Sequence, residues 1–185
     1  MSDKPKVLLH SCCGPCSTAC IERLAPDYHI YVLYYNPCIN DRDEYELRKA
    51  NQIKFINAYN EKADKIEIVE ANYDPENFEK LTTGFENEPE GGARCMICFS
   101  QRLEETAKKA KELDMDFFTT TLTVSPHKNY ELISKIGKEM AKKHGTDFLD
   151  IDFKKKAGFQ RSIELSKEYG LYRQNYCGCN YSKRG

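Results

Sequence analysis

"KVLLHSCCGPCSTACIERLA", residues 6–25, sets a strand-length apolar run, a cysteine-rich loop and a helix-like segment end to end. Val7, Leu8 and Leu9 read as a short buried strand over 6–10. Gly14 and Pro15 shape a tight loop, and a short helix is expected from Cys16 to Ala25. The same unit recurs downstream. "HIYVLYYN" (29–36) is rich in β-branched and aromatic residues and reads as a second strand, followed by a helix over 41–63 with Leu47, Ala50, Ile53 and Ile56 at helical spacing. A strand over 65–71, a brief helix over 75–81 and a polar, glycine-rich loop over 84–93 come next. A second long helix runs from Cys95 to Leu113, and a fourth strand over 116–123. Ser125 and Pro126 form a helix start with Ser125 as cap, and Gly145 ends that helix. A fifth strand over 147–153 and a last helix over 158–170 complete the pattern. Strand and helix thus alternate five times. This predicts an α/β three-layer sandwich: a mostly parallel, five-stranded sheet with helices on both faces. Ligands of such sheets bind beyond the carboxyl ends of the strands, where Cys12, Cys13, Asp74, His127 and the Lys154–Lys156 run fall.

The 185 residues suit one domain, 1–185, and the content of 40% hydrophobic and 31% charged residues is that of a globular protein. No apolar run approaches the roughly 18–20 residues that span a bilayer, and "MSDKPKVLLHSCC" carries no secretory pattern, so a cytoplasmic protein is expected. Charge is lopsided. Residues 1–118 carry 15 Lys+Arg against 22 Asp+Glu, and residues 119–185 carry 13 against 7. A basic C-terminal third permits a polyanionic partner, and is equally compatible with an ordinary solvated surface.

Nine cysteines stand at 12, 13, 16, 20, 38, 95, 98, 177 and 179. In a reducing compartment they point to metal or catalysis before disulfides. Cys16 falls in the first turn of its helix, where the dipole favours thiolate. Cys95-x-x-Cys98 is open between zinc, a redox pair and iron–sulfur ligation. Cys177-Gly178-Cys179 is tighter than zinc-knuckle spacing, and Gly178 would let the backbone wrap closely round a metal. These groups hold seven thiols, where one tetrahedral ion or one four-iron cluster takes four. The surplus of three fits a cluster with a second metal, or a cluster with a redox dithiol. Cys20 and Cys38 are set aside as non-ligands. Asp74 reads as a helix cap before an acid or ligand, and Asp150 and Asp152 as ion-paired to nearby lysines. His127 and Lys128 read as phosphate contacts or plain surface, and Tyr172 and Tyr176 either stack on bases or pin the tail to the core.

The segments "LLHSCCGPCS", "YYNPCI" with "EYELR", "EGGARCMICFSQRL", "TTTLTVSPHKN" and "DFKKKAGFQRSIELSKEYGLYRQNYCGCNYS" stand in the order, and over nearly the whole chain, of the QueH-type epoxyqueuosine reductases, which this sequence resembles. The resemblance implies reduction of the epoxide of epoxyqueuosine, at the wobble position of tRNA anticodons, to queuosine. It implies an adenine-nucleotide α-hydrolase-like fold of the PP-loop ATPase group, with the phosphate loop given over to metal ligands and no ATP chemistry. It further implies a 4Fe–4S cluster and an adjacent iron, with Cys12, Cys13, Cys16, Cys95, Cys98, Cys177 and Cys179 as candidate ligands whose division stays open. The tail, 171–185, would fold back to the metals. Cys38 departs from the family pattern, where asparagine is usual, and Gly14 replaces a common alanine. A ferredoxin or flavodoxin would supply electrons, and Asp74, Tyr35 or Tyr73 a proton. Lys128, Lys154, Lys155, Lys156, Arg161, Arg173, Lys183 and Arg184 would bind the tRNA. Two rival readings are a zinc-stabilised RNA-binding module and a thiol oxidoreductase using Cys95 and Cys98.

Overall fold

The computed structural model describes residues 3–182. Four strands form one sheet, β1 (Lys6–Ser11), β2 (His29–Tyr34), β3 (Glu67–Val69) and β4 (Phe117–Thr120), in the order β3-β2-β1-β4. All three pairings are parallel, with Leu9 opposite Val32 on one side and Thr119 on the other. Among the described residues six α-helices accompany them: α1 (Gly14–Leu24), α2 (Arg42–Asn60), α3 (Pro75–Thr82), α4 (Ala93–Glu112), α5 (Tyr130–His144) and α6 (Gly158–Glu168).

The strand period of two sorts the core into two layers. Val7, Leu9, Ile30 and Val32 point to one face, where Cys20, Ile21, Leu24, Phe55 and Phe153 cover them from α1, α2 and the chain before α6. Leu8, Leu33 and Phe118 point to the other, against Ala107 and Ala110 of α4 and Ala141 of α5. A parallel sheet with both faces covered needs such near-continuous apolar strands. Small alanines on α4 and α5 let these helices lie close to it.

The expected fifth strand does not form. Phe118 and Phe148 make an isolated parallel bridge, in which the Phe118 N–H donates to Asp147 O (3.0 Å) and the Leu149 N–H to Phe118 O (2.8 Å). Beyond it the chain coils into a 3-10 turn at Thr121–Val124, leaving no extended edge to pair. Threonine hydroxyls take over the ladder: Thr119 Oγ1 donates to Leu149 O (2.8 Å), Thr123 Oγ1 donates to Ile151 O (3.0 Å), and the Phe153 N–H donates to Thr123 Oγ1 (3.1 Å). The helix expected from Ser125 starts at Tyr130 instead, capped by Asn129 on the Leu132 N–H (3.2 Å). Ser125 Oγ accepts from the His127 N–H (3.3 Å) in a separate turn, which leaves His127 and Lys128 outside any helix at the sheet's carboxyl edge. On α2 the buried side differs from the expected apolar stripe. Leu47 and Ile53 are exposed, whereas Tyr45, Arg48, Gln52, Phe55 and Ile56 are buried. No helix among the described residues is long and apolar enough to cross a membrane.

Candidate metal centre

The thiols meet at the carboxyl edge of the sheet. Cys12 and Cys13 follow β1 directly, and Cys13 caps α1, its sulfur accepting from the Cys16 N–H at 3.5 Å. Gly14 sits where a Cβ would lie 3.1 Å from the Asn51 backbone of α2, so this corner is packed tightly. The sulfurs of Cys12, Cys13 and Cys16 lie within 4.8 Å of one another, with Cys12 and Cys13 3.9 Å apart. Three soft donors at this spacing can hold one thiophilic ion, whose metal–sulfur bonds are about 2.3 Å. Hydrogen bonds from Cys13 and Cys16 hold Cys12 well below the usual thiol range, and the same contacts push Cys13 up to about 12 and Cys16 upward. Thr121 Oγ1 donates to Cys12 Sγ (3.3 Å) and Gln174 Nε2 to Cys13 Sγ (3.0 Å).

A second set lines an inner recess of about 90 Å³: Cys95 and Cys98 from the first turns of α4, and Cys177 and Cys179 from the tail. The 95/98 spacing of three places both thiols on one face of α4. Gly91 N–H donates to Cys95 Sγ (3.2 Å), and Arg102, one turn beyond Cys98, donates from Nη2 to Cys98 Sγ (3.1 Å). An outer recess of about 250 Å³ is lined by Cys12, Cys16, Cys177, Arg173, Tyr176 and Phe159 among others. Cys177, Arg102 and Lys128 border both recesses, so the two sulfur sets adjoin. Lys128 lies between them. Burial opposes its charge, but the Cys177 and Cys12 sulfurs outweigh that and raise its pKa. All nine cysteines are free of disulfides.

The tail is held by protein groups as well. Arg48, buried at 1% exposure, donates to Cys177 O (2.9 Å) and Tyr176 O (3.0 Å) and is ion-paired to Glu44 (2.7 Å). Its guanidinium lies 5.0 Å over the Tyr176 ring, and the Tyr172 hydroxyl donates to Glu44 (3.1 Å). Of the two roles open to Tyr172 and Tyr176, the structure displays the pinning one. Gly178 has φ +136, and a Cβ there would lie 2.8 Å from Ile39 Cγ1.

The expected proton donors lie elsewhere. Asp74 is exposed and caps α3, accepting from the Asn77 N–H (3.2 Å). The Tyr73 hydroxyl donates to Ile39 O while its ring stacks on Tyr45 at 3.8 Å. Tyr35 is buried against Leu8, Leu33 and Ala107, with its hydroxyl pushed up to about 12 by burial, and it borders a separate depression with Gln101. None of the three lines either sulfur recess. His10, 0% exposed, bridges Thr120 Oγ1 (2.9 Å) and Tyr35 O (2.8 Å); burial lowers it to about 4, so it is a neutral core tie.

The basic residues divide as well. Lys128 and Arg173 border the outer recess, and Lys154 Nζ donates to Thr123 O (3.0 Å) beside an ion pair with Asp152 (3.4 Å). Lys155 and Lys156 are exposed. Arg161 grips both carboxylate oxygens of Glu22 at 2.8 Å and pairs with Glu164 (3.1 Å), away from the recess. Lys183 and Arg184 lie outside the described residues. Sequence reasoning did not single out Arg48, Arg102, Thr121 or Gln174. The local signals available were the spacing of Arg102 four residues after Cys98 and of Arg48 four residues after Glu44.

A family model described as epoxyqueuosine reductase QueH matches residues 7–185. The chain is 42% identical over 184 residues to epoxyqueuosine reductase QueH of Streptococcus pyogenes serotype M1, covering 99% of this chain and 72% of that protein. It is 42% identical over 183 residues to the Staphylococcus epidermidis protein of the same name (97% and 77% covered), and 36% identical over 182 residues to that of Thermotoga maritima (95% and 89%). With the match spanning all three cysteine groups, the chain belongs to the epoxyqueuosine reductase QueH family.

Proposed function

We propose that this chain reduces epoxyqueuosine at the wobble position of tRNA to queuosine, using a 4Fe–4S cluster and an adjacent iron held by Cys12, Cys13, Cys16, Cys95, Cys98, Cys177 and Cys179. The reaction removes the epoxide oxygen as water: two C–O bonds break, a C=C bond forms, and two electrons and two protons are consumed. The observation that carries the reading is the meeting of thiols from β1–α1, α4 and the tail around two adjoining recesses. The donor sets fit the groups. Among the described residues, the three sulfurs of Cys12, Cys13 and Cys16 are close enough to share one ion, whereas the inner thiols are spread more widely round a cavity, as a larger polynuclear group requires. When bound, such a group would supply electrons singly, and an iron with a free position would act as Lewis acid toward the epoxide.

The chain's own residues supply the rest. Arg102, fully buried, keeps its charge and offsets the negative thiolates. Lys128 borders both recesses, so its ammonium would lie nearer a departing oxygen there than Asp74, Tyr35 or Tyr73, none of which lines either recess. Arg173 and Phe159 at the outer recess would receive the splayed nucleoside, with Lys128, Lys154, Lys155, Lys156, Lys183 and Arg184 adding positive field for the anticodon stem-loop. The tail, over its described residues 171–182, acts as the closing wall of one domain. A small ferredoxin or flavodoxin is the proposed electron donor.

The test is anaerobic purification followed by incubation with epoxyqueuosine-containing tRNA and a low-potential reductant, read by mass spectrometry of the nucleosides. The expected protein is brown, with a band near ~400 nm and acid-labile sulfide, and forms queuosine. A colourless zinc protein that binds tRNA without converting it would establish the rival RNA-binding module instead.

A further inference from the structure

The reading above uses seven thiols and leaves Cys38 unexplained. Sequence alone makes it a lone cysteine in the Asn36-Pro37-Cys38 loop after β2. In the structure that loop lies at the same carboxyl edge as the Cys12 loop, because β2 and β1 are parallel neighbours in register. Cys38 is 1% exposed and lines the inner recess together with Cys95, Cys98, Cys177 and Cys179. It packs in one cluster with Cys98 and Cys179. A cysteine that merely fills a core is enclosed by close-packed neighbours. Cys38 instead fronts a void of about 90 Å³, several times the roughly 10–15 Å³ that one water needs.

The void has a cationic wall. Arg102 is 1% exposed, donates from Nη2 to Cys98 Sγ (3.1 Å) and from Nη1 to Asn36 Oδ1 (3.4 Å), and its Nε has no partner. None of the ion pairs found among the described residues involves it, although Glu90 borders the same recess. A buried guanidinium outside any ion pair is costly unless an anionic group occupies the space it borders. Thiolates gathered on a metal group meet that need. A four-iron cluster takes four of the five thiols present. Cys177 is the thiol that also fronts the outer recess, beside Cys12 and Cys16.

We propose that Cys38 is a metal ligand: Cys38, Cys95, Cys98 and Cys179 hold the cluster in the inner recess, and Cys177 turns to the ion at Cys12, Cys13 and Cys16. The assignment rests on the iron–sulfur reading. It is tested by anaerobic reconstitution of wild-type chain and of the Cys38→Ser, Cys177→Ser and Cys20→Ser variants. Iron and acid-labile sulfide per folded monomer and the electron paramagnetic resonance of the reduced protein are measured. Cys20 is equally buried (0% exposed) but faces the α1 core, so it controls for loss of packing alone.

The expected result is that Cys38→Ser loses more than half of the sulfide, or keeps it with displaced resonances from an oxygen ligand. Cys177→Ser keeps the sulfide and loses about one iron, and Cys20→Ser matches wild type. Should Cys38→Ser fail to yield folded protein, Cys38→Ala is measured in its place. Wild-type sulfide, iron and resonances in the Cys38 variant overturn the ligand assignment, and loss of sulfide in Cys177→Ser overturns the division. A wild-type chain that takes up zinc but no sulfide overturns the iron–sulfur reading itself, a result distinct from both.

Discussion

At Gly178 the backbone runs at φ +136 with no room for a methyl group, since Ile39 and Arg48 stand 2.8 and 3.3 Å from where a Cβ would be. Glycine is what lets two cysteines flank so close a crossing. Gly178→Ala therefore has to strain the backbone, at about 1–3 kcal/mol, or lift the tail off Ile39. The expected outcome is faster proteolytic trimming after Arg173 and less bound iron, with the melting temperature of the sheet core almost unchanged; wild-type trimming would contradict it. Asp150 makes a second case at this scale. Burial alone would raise its carboxyl pKa, but hydrogen bonds from Tyr130 (2.7 Å) and Ser134 (2.7 Å) and the Lys138 ammonium (3.0 Å) outweigh it and hold it below the usual value. A carboxyl depressed in the folded state stabilises above its unfolded pKa and loses that contribution as pH falls through the folded one. Its contribution is thus present at pH 7 and drains away as pH drops below about 4. Asp150→Asn should lower stability at pH 7 by about 1–2 kcal/mol and flatten the acid limb of stability against pH, measured by urea unfolding. An unchanged acid limb in the variant would count against this account.

Helix α2 shows how an element can serve a site from behind. Arg48 and Gln52 are buried because they hold other segments: Arg48 carries the tail carbonyls, and Gln52 accepts from Ser11 Oγ and donates to Ser17 Oγ (2.9 Å). Arg48→Met keeps the aliphatic stem and removes the donors, so the Tyr176 and Cys177 carbonyls lose these hydrogen bonds and Glu44 loses its ion pair while keeping the Tyr172 hydroxyl. Hydrogen exchange of residues 172–181 should then rise tenfold or more in the metal-free protein, and partly recover on metal loading, because ligation also orders the tail. Equal exchange in both proteins would mean that the strap is held by the metal alone. This element also marks the limit of what the sequence conveyed. Apolar spacing in 41–63 located the helix but pointed to Leu47 and Ile53, which are exposed, since the periodic signal carries no account of a buried arginine whose partners are 128 and 129 residues away. The strand expected at 147–153 failed for a similar reason. Its alternating residues are real, yet β4 coils at Thr121, and hydroxyls replace the missing backbone partners. The cysteine groups were legible because their spacing is local. Cys38 was not, because only the parallel register of β2 against β1 carries it to the other thiols.

At the scale of the whole molecule, one topological fact organises the chemistry: the parallel strands deliver the loops after β1, β2 and β4 to a single edge, and α4 and the tail close over it. The excess of positive charge in residues 119–185 is real in sequence but is unevenly available to a polyanion. Arg161 is committed to Glu22 and Glu164, so its charge is largely cancelled locally, whereas Arg173 is exposed at the outer recess beside Ser166 Oγ (3.3 Å) and the Phe159 ring (5.9 Å). A cation that meets a phosphate releases a counterion, and the logarithm of affinity falls with the logarithm of salt by about 0.7–0.9 per contact. Binding of the tRNA anticodon stem-loop, titrated between low and physiological salt, should therefore lose about one contact's worth of slope in Arg173→Gln and none in Arg161→Gln. Because Arg173 stands at the recess and not on a remote face, its loss should also raise KM for the modified tRNA more than it lowers kcat. An Arg161→Gln slope as shallow as that of Arg173→Gln would place the RNA across α6 and α1, away from the sulfur edge, and would separate the binding surface from the metal recesses.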